Sequence, residues 1–521
     1  MFTTQLKVDR ETFSAASTVL DTSVEQSVEK DFVLPDYYAD IFRILKCIVN
    51  ARVLSQTING GKLSFEMCVT ARVLYCSEND SKVNCIVQNM NYTKSVDIGD
   101  NCSNPSISIT PHCDYVNCRV ISPRRLDIRG AVTSRIKVSC EKKQSIVTDA
   151  QGCNIQLRKQ LLTYPSKRLT ADKRITLIEE LELASDKPPV DQVVRTDCFI
   201  EPSEQKIIAG KLVTKGNAQI SMCYSCINTS GEETLENMRF SIPFSQIIDI
   251  DGIDESFEAS VEITPSGCEI MPSAGSQSSL ECELVMFVNC VAVKYETAEV
   301  VIDAYSTCYE CEIKSSEGSM ESVPINVMQT VVSKAKALYP DESIRCVYDS
   351  WANVENTNVS YDPDKKVFIV SGNTKFSVLA KSESDQPVFL VAEEPFEQEI
   401  SAPEQLSQLN DRKCEPYVSV KNCEYTMPDD NSIELTAELV IRASMSASAA
   451  KQIVSDISVL TDKPKEKNGD CAIKLCYCSE QEDIWEIAKR YSTSISAILE
   501  ENELNDENAA RSGMLLIPLI N

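Results

Sequence analysis

Apolar and polar residues alternate along most of this chain. In Phe65–Tyr75, residues Phe65, Met67, Val69, Ala71, Val73 and Tyr75 fall on one side, with Glu66, Thr70 and Arg72 on the other. The run from Ile433 alternates likewise through Leu435, Ala437, Leu439 and Ile441. Period two sends successive side chains to opposite faces of an extended chain, so each run predicts a strand with one buried face. Polar stretches such as SENDSK, NTSGEE and SESDQP separate the runs, as hairpin loops do.

The alternating runs recur. QLKVDR at Gln5 returns loosely as QLRKQL at Gln156, and Glu29–Leu45 (EKDFVLPDYYADIFRIL) as Glu179–Arg195 (EELELASDKPPVDQVVR). INGGKLSF around Gly61 corresponds to IIAGKLVT around Gly210, ARVLYCSENDSKV to ISMCYSCINTSGEE, and SVDI ending at Ile98 to IIDI ending at Ile250. A more divergent third copy holds KFSVLAKSESDQP (Lys375–Pro387) and PFEQEI ending at Ile400, and lacks the Leu-Pro-Asp or Pro-Pro turn. Closing strands start at Leu126, Leu280 and Ile433. An offset near 150 residues across so many markers implies three units, 1–148, 149–300 and 301–462. Two facing sheets per unit, a β-sandwich, is the economical arrangement for such strands. The predicted fold class is mainly β.

After the charged stretch Thr461–Asp470 the period changes. AIKLCYC reads as a strand. In DIWEIAKRY, Ile484, Ile487, Ala488 and Tyr491 share one helix face, with Asp483 as the cap and Glu486 completing a capping box. A second helix starts after Ser494, and Gly513–Pro518 forms a last strand. This predicts a small α/β (βααβ) module at 471–521, joined through a linker at 463–470 and moving independently of the repeats. Trp485 lies one step off the buried stripe, which leaves two readings open: a half-exposed ring able to anchor a partner, or a ring packed in the core.

Composition narrows the chemistry. The formal net charge of −27 disfavours binding to nucleic acid or to an anionic membrane surface. No apolar stretch approaches the ~20 residues of a membrane span, and MFTTQLKVDRETF has no leader-like pattern, so a cytosolic protein is expected. Most of the 23 cysteines are then expected to be reduced, buried hydrophobes. Cys223 and Cys226 lie on a predicted strand and face apart; Cys308 and Cys311 lie in a loop-like stretch where they could supply two zinc ligands, but no second pair sits at finger spacing. His112 is the single histidine, and Leu63 and Leu212 follow the two Gly-Lys pairs where a phosphate loop needs Ser or Thr. Trp351 reads as packing within the third unit. No catalysis, metal or cofactor is expected.

The Leu-Pro-Asp segment, the hairpin after Gly-Lys and the closing strand together resemble the SPOCS domain of spore-forming Firmicutes, across residues 1 to about 462. The IWxIAKRY run, Asn502 and the GxxLxIP ending resemble LysM. The pair of resemblances implies three tandem SPOCS repeats, a terminal LysM domain, and membership among spore-coat morphogenetic proteins of the mother-cell cytoplasm. It implies a non-catalytic adaptor in coat assembly whose partner is the coat-basement morphogenetic ATPase at the forespore surface. LysM binding loops correspond to 479–483 and 503–507, which nominates Gln481, Glu482, Asp483, Trp485, Glu503, Asn505 and Asp506 as partner-binding residues. The same loops offer the alternative of a cell-wall protein binding N-acetylglucosamine polymers of peptidoglycan. Against that, Gln481, Glu482 and Asp483 replace the usual Gly-Asp-Thr, and the module carries nine Asp and Glu against four Lys and Arg.

Overall fold

The alternating runs form long antiparallel strands. The computed structural model describes residues 5–78, 82–99, 102–273, 278–406, 411–466, 471–478, 483–504 and 513–519. The first unit holds β1 (Lys7–Val33), β2 (Arg43–Asn59), β3 (Lys62–Cys76), β4 (Asn84–Asp97), β5 (Ser103–Ser122) and β6 (Arg125–Gln151). The second holds β7 (Ile155–Glu182), β8 (Gln192–Ile208), β9 (Lys211–Ile227), β10 (Glu233–Asp249), β11 (Phe257–Pro272) and β12 (Ser279–Ser306). The third holds β13 (Tyr309–Glu321), β14 (Ile325–Leu338), β15 (Ile344–Asp362), β16 (Val367–Ser382), β17 (Pro387–Ser401), β18 (Asp411–Asp429) and β19 (Ser432–Pro464).

One topology serves all three units. In the first, sheet β1-β6-β5 faces meander β2-β3-β4; the second repeats this as β11-β12-β7 and β10-β9-β8. In the third, β13 and β14 share the place of one broken first strand along β19, which also pairs with β18, and β15-β16-β17 is the meander. Central strands supply the apolar faces that the alternation predicts. Phe65, Met67, Val69, Ala71, Val73 and Tyr75 are buried in one core, and Ile433, Leu435, Ala437, Leu439 and Ile441 in another. The β2–β3 turn places Gly60 and Gly61 at φ 54° and 72°, both in the region a tight two-residue hairpin requires. Tyr75 and Tyr224 each donate a hydroxyl, at 3.1 Å, to the carbonyls of Ala39 and Pro188. They pin the Leu-Pro-Asp and Pro-Pro segments over the ends of the two sandwiches. The third unit has neither the segment nor the tyrosine.

The long ribbons change course at matching points. In the β1/β6 ladder the register shifts at Thr18/Leu20, in β7/β12 at Lys294/Tyr295, and in the third unit the first strand breaks between β13 and β14. A bulge bends and twists a strand. Beyond it, each ribbon leaves its sandwich and meets the other two. Phe13, Ile146, Tyr164, Val300 and Ile453 form one shared cluster, and Val147, Val301, Val454, Ala150, Ala304 and Ile457 another. At the meander sheets, Leu74, Cys223, Leu379, Val194 and Trp351 meet in a third. Side chains bridge the meanders cyclically: Gln192 Nε2 to the Cys85 carbonyl (2.9 Å), Asn237 Nδ2 to that of Tyr348 (2.5 Å), and Arg43 Nη2 to that of Pro387 (2.6 Å). The third unit therefore closes on the first, and the three form a ring with approximate threefold symmetry.

One expectation is corrected here. Trp351 packs at the junction of all three units, with the Arg195 guanidinium 4.8 Å above its ring, because its strand turns that face toward the hub. Cys102 and Cys140 form a disulfide, an exception to the expectation of reduced thiols.

Candidate functional site

The terminal residues form β20 (Ile473–Cys478), α1 (Ile484–Tyr491), α2 (Ile495–Glu501) and β21 (Gly513–Pro518), with β20 and β21 antiparallel. Local chemistry explains the helices. Asp483 caps α1 by accepting from the Trp485 amide at 3.0 Å, and Ser494 caps α2 by accepting from the Ala497 amide at 3.2 Å. Asn502 locks α2 to β21: Nδ2 donates to the carbonyls of Ile498 and Leu516, and Oδ1 accepts from the Leu516 amide, all at 2.7 Å.

One face of the small sheet covers the helices through Cys476, Cys478, Leu515 and Ile517. The opposite face is open and apolar: Leu475, Tyr477 and Met514 are 67 %, 77 % and 73 % exposed, beside Ile473 at 43 %. Register places Tyr477 opposite Met514 and Leu475 opposite Leu516, so these side chains make one contiguous patch. Scattered exposed apolar residues are ordinary, whereas a contiguous patch marks a contact surface.

The helical face is already engaged. Trp485 is 2 % exposed, so of the two readings its helix position leaves open, the packed ring holds and the half-exposed one is corrected. Its neighbour is Tyr305 at the end of β12, edge-on at 5.0 Å between centroids. The indole Nε1 donates to Asp303 Oδ2 at 2.7 Å, and Lys489 Nζ reaches both Asp303 oxygens at 2.8 and 2.7 Å. Tyr305 donates its hydroxyl to the Thr493 carbonyl at 2.7 Å, and Arg158 of β7 pairs with Asp483 at 2.8 Å. A helix pattern shows only which face packs within the module; a partner elsewhere in the chain buries the next position.

Of the nominated residues, Asp483 and Trp485 thus lie together at this internal contact. Glu503 lies beyond α2 with φ 53°, its amide donating to the Glu500 carbonyl. Gln481, Glu482, Asn505 and Asp506 lie outside the described residues. Lys463 and Pro464 of the expected linker belong to β19, the Lys465 amide donates to the Cys308 carbonyl at 2.9 Å, and residues 467–470 lie outside the described residues. Sequence reasoning missed Asp303, Tyr305, Arg158 and Lys489, which lie far apart in the chain.

Two further concavities lie among the units. A cavity of about 150 Å³ sits where all three meet, lined by hydroxyls including Ser14, Ser139, Ser260 and Ser446. At its edge buried Glu141 accepts from Asn104 Nδ2 at 2.7 Å, and Arg168 donates to Ser139 Oγ at 3.1 Å. A groove of about 660 Å³ runs between the second and third units, over Arg195, Asp349 and Trp351. His112 is exposed on β5. Cys223 and Cys226 point into different clusters from opposite faces of β9. Cys308 accepts from Asn154 Nδ2 at 3.2 Å, and Cys311 packs in the hub. Among the described residues no group of three or more His, Cys, Asp or Glu side chains could hold a metal ion, and no helix is long and apolar enough to cross a membrane.

The family model described as SipL, SPOCS domain matches residues 189–271, which run from the Pro-Pro turn before β8 to the end of β11. No curated protein and no solved structure matches the chain. Residues 189–271 therefore carry a SPOCS domain, and in that region the chain resembles SipL.

Proposed function

We propose that this chain is a non-catalytic adaptor of spore coat assembly. The SPOCS domain of the second unit supports a sporulation-related role. The shared topology supports reading the first and third units (1–148 and 301–462) as SPOCS repeats flanking the second (149–300). The βααβ order supports a LysM domain at 471–521. Its partner is the coat-basement morphogenetic ATPase, met at the forespore surface in the mother-cell cytoplasm.

The observation that carries this reading is the open apolar sheet face of the terminal module. Leu475, Tyr477 and Met514 offer the kind of desolvated anchor that dominates protein contacts. Gln481, Glu482, Glu503, Asn505 and Asp506 remain nominated for the partner contact, and Asp483 and Trp485 would act by holding the module in place. Peptidoglycan binding is less well supported, because Arg158 ties down Asp483 at the mouth where a flat sugar would lie.

Capture of the tagged chain from sporulating cells tests the reading. The native chain should recover the ATPase, and Leu475→Asp with Tyr477→Ser should weaken recovery by at least ~2 kcal/mol in binding. Recovery of peptidoglycan fragments without the ATPase would overturn it.

A further inference from the structure

The three closing strands carry an aspartate at the same place. Each ladder has a second register shift near its end, at Asp9/Arg10, Val301/Asp303 and Lys314/Ser315. It leaves Thr148, Ile302 and Ser455 unpaired, and the next residues on those strands are Asp149, Asp303 and Asp456. Val147, Val301 and Val454, on the other side of the shift, share one hub cluster, which confirms the equivalence.

Two of these aspartates join successive units around the ring. Asp149 of the first unit accepts from Lys159 of the second at 2.8 Å, and Asp456 of the third accepts from Arg10 of the first at 2.5 Å. Lys159 and Arg10 are themselves equivalent, opposite Val301 and Val147 in their ladders. The corresponding residue of the third unit, opposite Val454, is Ser315. A serine there cannot supply the ammonium or guanidinium that Asp303 would receive by symmetry. Asp303 instead takes its cation and its N–H donor from the terminal module, through Lys489 and Trp485.

We propose that the change from a basic residue to Ser315 creates the docking site of the terminal module, with Asp303 as the positioning residue. The ring spends two of its three equivalent carboxylates on its own closure and leaves the third for the module. Three further contacts around Asp303 fit a built interface: the Tyr305–Trp485 edge contact, the Tyr305 hydroxyl on the Thr493 carbonyl, and Arg158 on Asp483. Docking also fixes the direction in which the open sheet face points, whatever that face binds.

The test restores the symmetry. Ser315 is exposed, so Ser315→Arg is tolerated by packing and places a guanidinium where it competes with Lys489 for Asp303. In the full chain, limited proteolysis between the third unit and the module, with hydrogen exchange over Ile484–Tyr491, reads docking without any partner. Ser315→Arg and Asp303→Ala are each expected to raise the cleavage rate and α1 exchange by at least about tenfold, since a hydrogen bond to a charged group is lost. Ser315→Ala should leave both at the native rate. The exchanged pair Asp303→Lys with Lys489→Asp should recover most of the protection that either single reversal loses. Rates in Ser315→Arg within about threefold of native would overturn the proposal, even if Asp303→Ala fails to fold. Because no partner enters the measurement, its failure is separate from failure of the adaptor reading.

Discussion

Each long ribbon does two different things on either side of its bulge. The half inside the sandwich is apolar and local: Val28, Leu126, Ile128 and Ile136 pack against the meander of their own unit. The half beyond the bulge packs across units, Phe13 against Tyr164 with ring centroids 6.2 Å apart, and carries the polar grips Arg10–Asp456 and Lys159–Asp149. The apolar period makes each unit a sandwich, and any of the three would satisfy it. The polar positions beyond the bulge differ from unit to unit, and they decide which neighbour sits where. Charges at a junction thus act as address labels more than as sources of stability.

The largest effects should come from apolar truncations on both halves. Leu126→Ala in the sandwich and Phe13→Ala in the hub should each cost about 3–5 kcal/mol. Because the hub ties the units together, calorimetry of either variant should show one unfolding transition for residues 5–466. Two resolved transitions for Phe13→Ala would show that the units stand alone.

Next comes the junction between the second and third units, where Arg195 and Asp349 are both buried and bond at 2.7 and 3.2 Å. Asp349→Ala leaves a guanidinium buried against Trp351 with the exposed Asp197 as its remaining carboxylate partner, and should cost about 3 kcal/mol in urea unfolding. Replacing the pair by Arg195→Met with Asp349→Leu should come close to neutral, since apolar side chains also escape the desolvation cost. A double variant as unstable as the single one would make this pair a source of stability and contradict the labelling view.

The smallest effect is a pH dependence at the closure of the ring. The hydrogen bond from Arg10 holds the Asp456 carboxyl below its usual 3.8. The stability it adds is therefore present above that value and lost as pH falls through the folded value. Asp456→Asn should cost at most about 1 kcal/mol at neutral pH, and its penalty should shrink in urea titrations as pH falls through the folded Asp456 value. A penalty that persists in acid would assign the cost to packing.

Strands, hairpins and the terminal helices were legible because their signals are local. Phe65 to Tyr75 alternates within a single strand, and Asp483 and Ser494 cap helices that begin one residue later. The ring was not legible, because Phe13, Tyr164 and Ile453 meet only after two bulges and a strand break redirect the ribbons, and neither leaves a composition signature. The partners that bury Trp485 escaped for the same reason: Tyr305 and Asp303 lie in another unit. Ser315 acquires meaning only when the three ladders are laid over one another.

Ring closure has a consequence for how the protein is made. Arg10 and Asp456 are 446 residues apart, and synthesis at about 5–20 residues per second separates their emergence by on the order of 20–90 s. Throughout that interval Phe13 and Ile146 have no Ile453 to cover them. The first ribbon leaves the ribosome as an unfinished surface, available to other nascent copies on the same message. Translation speed, and any chaperone that shields that surface, thus decides how many chains close on themselves rather than on each other.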